Sequence, residues 1–269
     1  MNASDTLNLD TYLERIGYEG KRDGSFETLT ALHTAHLAAI PFENLDVLLG
    51  RPIRLDIESL QTKLVNQRRG GYCFEQNTLF ATVLRHLGFQ VTTLEARVRR
   101  PCATHTRPRT HMVLRVDFPD MAVLADVGFG GDGPLWPVDL DGGVSEQGTD
   151  TYRVIQEENS RVLQLRGSDG WRDLYAFTLD EALPIDFEMA NHYTSTYPKS
   201  QFVTTLTAQL SLKDERRILR DRTLTLRRGG VETSRTIDDH ALPALLRESF
   251  GIDVPEDTDL EPLYSRSSR

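Results

Sequence analysis

A chain of 269 residues is long enough to bury a sizeable core and to divide into two or three structural units. Its 39% apolar and 26% charged residues are those of a soluble globular protein, and no apolar run approaches the roughly 20 residues that cross a bilayer. The net charge of -9 argues against general nucleic-acid binding, which needs a dominant positive surface; one local basic pocket for a phosphorylated ligand stays open.

The N-terminal stretch MNASDTLNLDTYLERIGY has no basic segment followed by an apolar one. No export signal is expected, and a cytoplasmic location is. Two cysteines, Cys73 and Cys102, are too few for a disulfide framework, and reduced thiols are the cytosolic rule.

In chain order, residues 1–88 read as a helical bundle. SFETLTALHTAHLAAI has a Ser cap, apolar residues at three- and four-residue spacing, and a stop at Pro41. LDIESLQTKLVNQ is a second amphipathic segment, and CFEQNTLFATVLRHLGF a third that ends at Gly88. Strand patterns fill residues 89–190: VTTLEARV, MVLRVDF, MAVLADVGF, TYRVIQ, RVLQLRG and WRDLYAF, separated by polar or glycine-containing turns. Their spacing predicts an antiparallel meander closing towards a β-barrel. Residues 191–269 mix types: SQFVTTLTAQLSL and RILRDRTLTLRR read as strands, Gly229 and Gly230 as a hairpin turn, ALPALLRESFG as a helix, and LYSRSSR as a disordered tail. The class expected is α+β: a helical bundle, a central antiparallel β-barrel and a mixed third unit.

The stretch RRGGYCFEQN places Cys73 at the start of the third helix. Unpaired backbone N–H groups and the helix dipole favour a negative thiolate there. Glu75 lies about 200° around the helix from the thiol, while the neutral Gln76 and Asn77 share its face. Read alone, Cys73 is better taken as a small buried hydrophobe, since Cys73, Phe80, Leu84 and Leu87 form one apolar stripe. Only a base in the right place overturns that.

His111 opens the strand HMVLRVDF and Asp126 closes MAVLAD. If Pro119 and Asp120 form a two-residue loop, Phe118 pairs with Met121 and His111 falls opposite Gly128. Asp126 is then diagonal to His111 on the same face, within reach of its ring. A one-residue slip removes the alignment. Granting the register, Cys73, His111 and Asp126 form a nucleophile, a base and an orienting carboxylate.

The other histidines carry less. His33 and His36 have the spacing of a helical metal pair, but no Cys, Asp or Glu cluster completes it, and no metal is expected. Cys102, within RRPCATHTRPR, lacks a helix-start context. GFGGDG at 128–133 matches the dinucleotide fingerprint in letters, yet Pro134, Leu135, Trp136 and Pro137 follow where a helix must open, so a Rossmann site is rejected.

Five motifs in order, IPFENLDV, RRGGYCFEQN, THMVLRV, ADVGFGG and ANHYTSTYPKSQF, resemble the arylamine N-acetyltransferase family. The resemblance implies a helical bundle, a β-barrel and an α/β lid around a catalytic core like that of cysteine proteases and transglutaminases. It implies ping-pong acetyl transfer from acetyl-CoA to small aromatic amines, arylhydroxylamines or hydrazines. By motif position it assigns the nucleophile to Cys73, the base to His111 and the carboxylate to Asp126. It further implies that Phe42, Phe129 and Phe202 line the acceptor pocket and that Thr110, Phe129, Gly130 and Gly131 meet coenzyme A. Glu43 and Arg69 match an ion pair behind the helix start, the alternative being an ordinary exposed pair. The arginines of 99–109 match no family motif, and a solvated basic loop is the simpler reading. Three rivals remain: a papain- or transglutaminase-like thiol hydrolase, an amide synthase of the same family, and an inactive module that only binds coenzyme A.

Overall fold

The computed structural model describes residues 7–99, 107–254 and 258. Cys102, His105, most of the arginine-rich 99–109 segment and the tail 263–269 lie outside the described residues. Among the described residues, no helix is long and apolar enough to cross a membrane.

Helices lead. The side chains of Asn8 and Ser25 cap α1 (Leu9–Ile16) and α2 (Phe26–Ala39), accepting from the Thr11 and Thr28 amides. Each cap satisfies a donor that the first helical turn leaves open. A two-residue strand, β1 (Phe42–Glu43), precedes the short α3 (Leu45–Leu48) and α4 (Ile57–Leu60). Asp56 caps α4, which continues as a π-helical stretch, Gln61–Asn66. α5 (Cys73–His86) ends as its sequence predicts, with Gly88 just beyond it at φ +86. α5 is buried around most of its circumference, by the apolar Phe74, Leu79, Phe80, Val83 and Leu84 and by Glu75, Gln76 and Asn77, whose polar groups find partners inside.

Eight antiparallel strands follow: β2 (Gln90–Val98), β3 (His111–Asp117), β4 (Ala122–Ala125), β5 (Val138–Asp139), β6 (Ser145–Gln147), β7 (Asp150–Glu157), β8 (Ser160–Gly167) and β9 (Gly170–Phe177). Their order is β5-β4-β3-β2-β9-β8-β7-β6, and β5 packs back towards β7, so the sheet curls almost into a barrel. β3 is the seam with the helices. Its Met112, Leu114 and Val116 join the core of the bundle, whereas Val113 points into the core of the barrel. Alternate side chains of one strand serve two cores. His111 shares the barrel-facing parity of Val113.

A third layer starts with α6 (Pro184–Thr196) and α7 (Gln201–Thr204). Then come β10 (Thr207–Ser211), β11 (Glu215–Arg220), β12 (Thr223–Arg228) and β13 (Val231–Thr236). β1 forms the edge of this sheet in the order β1-β10-β11-β12-β13, which ties the first layer to the last. Gly229 and Gly230, both at positive φ, make the β12 to β13 turn. A single 3-10 turn, Asp239–Ala241, leads into α8 (Leu242–Phe250), closed by Gly251.

The α+β class expected from the sequence holds. One local reading does not. SQFVTTLTAQLSL reads as a strand in sequence, but Ser200 caps a helical turn over its first half and the strand starts at Thr207. α6 matches no pattern announced by the sequence.

Candidate active site

The site is assembled where α5 begins. Gly70 and Gly71 deliver the chain to that point because nothing larger fits. A Cβ on Gly70 would lie 2.0 Å from the Pro41 carbonyl oxygen, and one on Gly71 2.7 Å from the Glu75 carboxylate. Glu75 accepts the Tyr72 amide at 3.0 Å, the carboxylate half of a capping box. Lys63 holds Glu75 from behind at 2.7 Å and also contacts Asp46 at 2.7 Å. Arg69 chelates Glu43 through two nitrogens, 2.9 and 2.7 Å away. With side chains 7% and 0% exposed, Arg69 and Glu43 form a buried pair, not a surface one.

Cys73, 3% exposed, is the first residue of α5. Its thiol lies 3.7 Å from the Thr110 carbonyl oxygen and close enough to the His111 ring to help raise that ring's pKa. His111 Nε2 is 2.7 Å from Asp126 Oδ2, which leaves Nδ1 for the sulfur. The register is the one a two-residue loop dictates: Asp117 pairs with Ala122, Leu114 pairs with Ala125, and the Phe118 amide donates to Met121. The ladder stops at Ala125, so Asp126 is the first residue past the strand. Asp126 Oδ1 accepts from Asn77 Nδ2 and from the Gly128 amide, both at 2.9 Å.

Burial opposes charge on His111, yet the adjacent Asp126 carboxylate, with help from the Cys73 sulfur, raises its pKa to about 10. Burial by itself would raise the Asp126 carboxyl. The His111 ring, Asn77 and the Gly128 amide outweigh it and hold the group below the ordinary carboxylate range. The charged imidazole and carboxylate support each other while both are buried.

Aromatic rings surround this centre. Phe129 and Tyr175 pack on His111, with centroids 5.3 and 4.9 Å away. Phe202 packs against Phe42 and against Tyr72, the residue before the cysteine, at 5.9 and 5.6 Å. Thr110 meets the thiol through its main-chain oxygen. Gly130 has φ +90, and the Gly131 amide donates to Gln209 Oε1 of β10. No helix opens after GFGGDG; the next element is β5. His36 is buried between Tyr12 and Gln76, and among the described residues no group of three or more His, Cys, Asp or Glu could hold a metal ion. Sequence reasoning missed Asn77 and Tyr175 as neighbours of Asp126 and His111. Only the shared face of Asn77 and Cys73 on α5 hinted at the first.

A thiol, an imidazole and a carboxylate in this order can attack an acyl carbon, store the thiol's proton and return it to a leaving group. Residues 25–258 match the family described as N-acetyltransferase. The arylamine N-acetyltransferase of Mycobacterium tuberculosis (strain ATCC 25618 / H37Rv) is 42% identical over 257 residues, 93% of this chain and 91% of the relative. That of Escherichia coli (strain K12) is 39% identical over 92% of this chain and 90% of the relative. Among solved structures, arylamine N-acetyltransferase from M. tuberculosis superposes with TM-score 0.91 at 39% identity, over 97% of this chain and 100% of that one. The Mycobacterium marinum enzyme in complex with CoA gives 0.90 at 38% identity, over 96% and 98%.

Proposed function

The chain belongs to the arylamine N-acetyltransferase family, and from that premise we propose a ping-pong transfer of acetyl from acetyl-CoA to arylamines through a thioester on Cys73. It is an acyltransferase with acetyl-CoA as donor and arylamines as acceptors. The observation that carries the Cys73 route is an imidazole fixed at 2.7 Å by a buried carboxylate, with the Cys73 sulfur acting on the same ring.

In the first half-reaction the Cys73 sulfur bonds to the acetyl carbon as its proton rests on His111. The bond from that carbon to the sulfur of coenzyme A breaks, and His111 gives its proton to the departing thiolate. Backbone N–H groups of the first turn of α5 face the developing oxyanion. One thioester replaces another, so the acyl group stays activated. In the second half-reaction the amine nitrogen attacks, His111 takes the proton it sheds, and Cys73 leaves as thiolate. An aromatic amine is a weak nucleophile because its lone pair is delocalised, so it needs an activated ester and a dry site. Phe42, Phe129 and Phe202 orient the ring and exclude water; Thr110, Phe129, Gly130 and Gly131 meet the donor. Hydrazines and arylhydroxylamines belong to the proposed acceptor range, and a cytoplasmic site of action suits a thiol that must stay reduced.

Intact-protein mass spectrometry after acetyl-CoA alone, then with an aromatic amine, tests this reading. The expected result is one acetyl group on Cys73, discharged by the amine and absent from Cys73→Ala. Peptide turnover with an unmodified thiol would instead indicate a hydrolase, and coenzyme A binding with neither reaction an idle module.

A further inference from the structure

We propose that His33 is a positioning residue for Asp126, acting on its main-chain amide from α2 on the far side of the site. This inference rests on the reading of Cys73, His111 and Asp126 as the reacting set.

His33 is fully buried, and both of its ring nitrogens are committed. Nδ1 lies 3.0 Å from the Leu135 carbonyl oxygen, which can only accept, so Nδ1 carries the hydrogen. A neutral ring then has a bare lone pair on Nε2, and the Asp126 amide, which can only donate, points at it from 3.1 Å. The two ends demand the same tautomer. The Thr34 hydroxyl donates to the same Leu135 oxygen at 3.1 Å, and Phe80 stands edge-on to the His33 ring, 5.8 Å away. Burial pushes the His33 pKa down to about 4, so the ring stays neutral over the working range.

Asp126 needs such an anchor because of its position in the chain. It follows the last ladder pair of β3 and β4, and the β4 to β5 pairing covers only Val123 and Leu124. Its amide therefore has no strand partner. Asn77 and Gly128 both bind Oδ1, so those two bonds let the carboxylate pivot about a single atom. Fixing the backbone removes the pivot and aims Oδ2 at His111.

A pair of substitutions separates positioning from packing. In His33→Gln the amide oxygen reaches roughly where Nε2 stood and can accept from Asp126. In His33→Asn the side chain imitates Nδ1, keeps the bond to Leu135 and abandons Asp126. The readout is the rate of Cys73 alkylation by iodoacetamide near neutral pH, with thermal unfolding followed in parallel. Expected are a loss of roughly tenfold in His33→Asn and a rate within about twofold of the unsubstituted protein in His33→Gln. Equal rates in both variants, whether unchanged or equally reduced, overturn the proposal. If His33→Asn does not fold, nitrogen NMR of the unsubstituted protein decides: an Nδ1–H tautomer at His33 supports the assignment, and an Nε2–H tautomer overturns it. Alkylation needs no acetyl-CoA, so failure to acetylate the unsubstituted protein would sink the transferase reading and leave this test intact.

Discussion

Asn77 and Asp126 meet at 2.9 Å across the joint between the helical bundle and the barrel. The same amide donates to the Met112 carbonyl at 2.8 Å and accepts from Val127 at 3.1 Å. Asn77 is one turn beyond Cys73 on the same face of α5. The helix that carries the sulfur and the strand end that carries the carboxylate are therefore bolted together by one side chain.

Replacing Asn77 with Leu keeps the volume and strips these bonds. Two backbone groups stay buried without partners, at about 1–3 kcal/mol each. The expected outcome is a stability loss of roughly 2–6 kcal/mol in urea unfolding, together with slower alkylation of Cys73. A variant as stable and as reactive as the parent would show that the joint is held elsewhere.

Asp126→Asn gives a sharper test of the imidazole. Asn77 and the Gly128 amide both donate to Oδ1, so the oxygen of the new amide must face them. Its NH2 group then points at His111 Nε2 and forces the ring hydrogen onto Nδ1, the side that should take the thiol's proton. Acetyl-adduct formation should slow by about 10³- to 10⁴-fold with the fold retained. A rate within tenfold of the parent would remove the orienting role.

Gly128 tests how close the two halves must approach. A Cβ there would lie 2.7 Å from Cys73 Cα and 3.0 Å from the Cys73 carbonyl oxygen. Backbone cannot swing aside as a side chain can, so Gly128→Ala displaces the start of α5. Acylation should fall by about 10²-fold while far-UV circular dichroism stays unchanged. Gly24→Ala, which adds its methyl to open space, serves as the control with no expected effect.

How much of this was legible depends on whether a feature was encoded locally. The Ser25 cap, the start of α5 at Cys73 and the hairpin register each rest on a few adjacent residues, and the helix, turn and pairing follow from them. α6 escaped because PIDFEMANHYTST buries only Phe187, Asn191 and Thr194 and leaves Ile185 and Met189 exposed, which blurs its apolar stripe. The strand reading of SQFVTT failed because β-branched residues outweighed a Ser cap in the pattern. The ion cluster of Glu43, Asp46, Lys63, Arg69 and Glu75 unites four separate stretches of chain, so no spacing rule could reveal its burial. His33 looked like half of a metal pair; its partners, Leu135 and the Asp126 amide, lie about a hundred residues away in sequence.

The same histidines set the response to acid. Burial lowers the folded-state pKa of His33 to about 4 and of His36 to about 3, against an ordinary value of 6.5. The groups facing them are Leu135 and Asp126 for His33, and Tyr12, Gln76 and the Arg15 charge for His36. Between pH 6.5 and 4 the unfolded chain therefore binds up to two protons that the folded chain refuses. Stability should fall on acidification by up to about 2.7 kcal/mol per pH unit, about 1.4 from each ring. His111 acts in the opposite window. Its folded pKa is raised to about 10, so its contribution is complete below 6.5 and is lost as pH rises through 10. Asp126, held low, gives up its contribution only in stronger acid, as pH falls through its folded-state value. Urea unfolding from about pH 4.5 to about pH 8.5 should thus peak near 6.5. His36→Gln should reduce the slope of the acid limb by about one proton. An acid limb with the same slope in that variant would place the proton uptake on other groups.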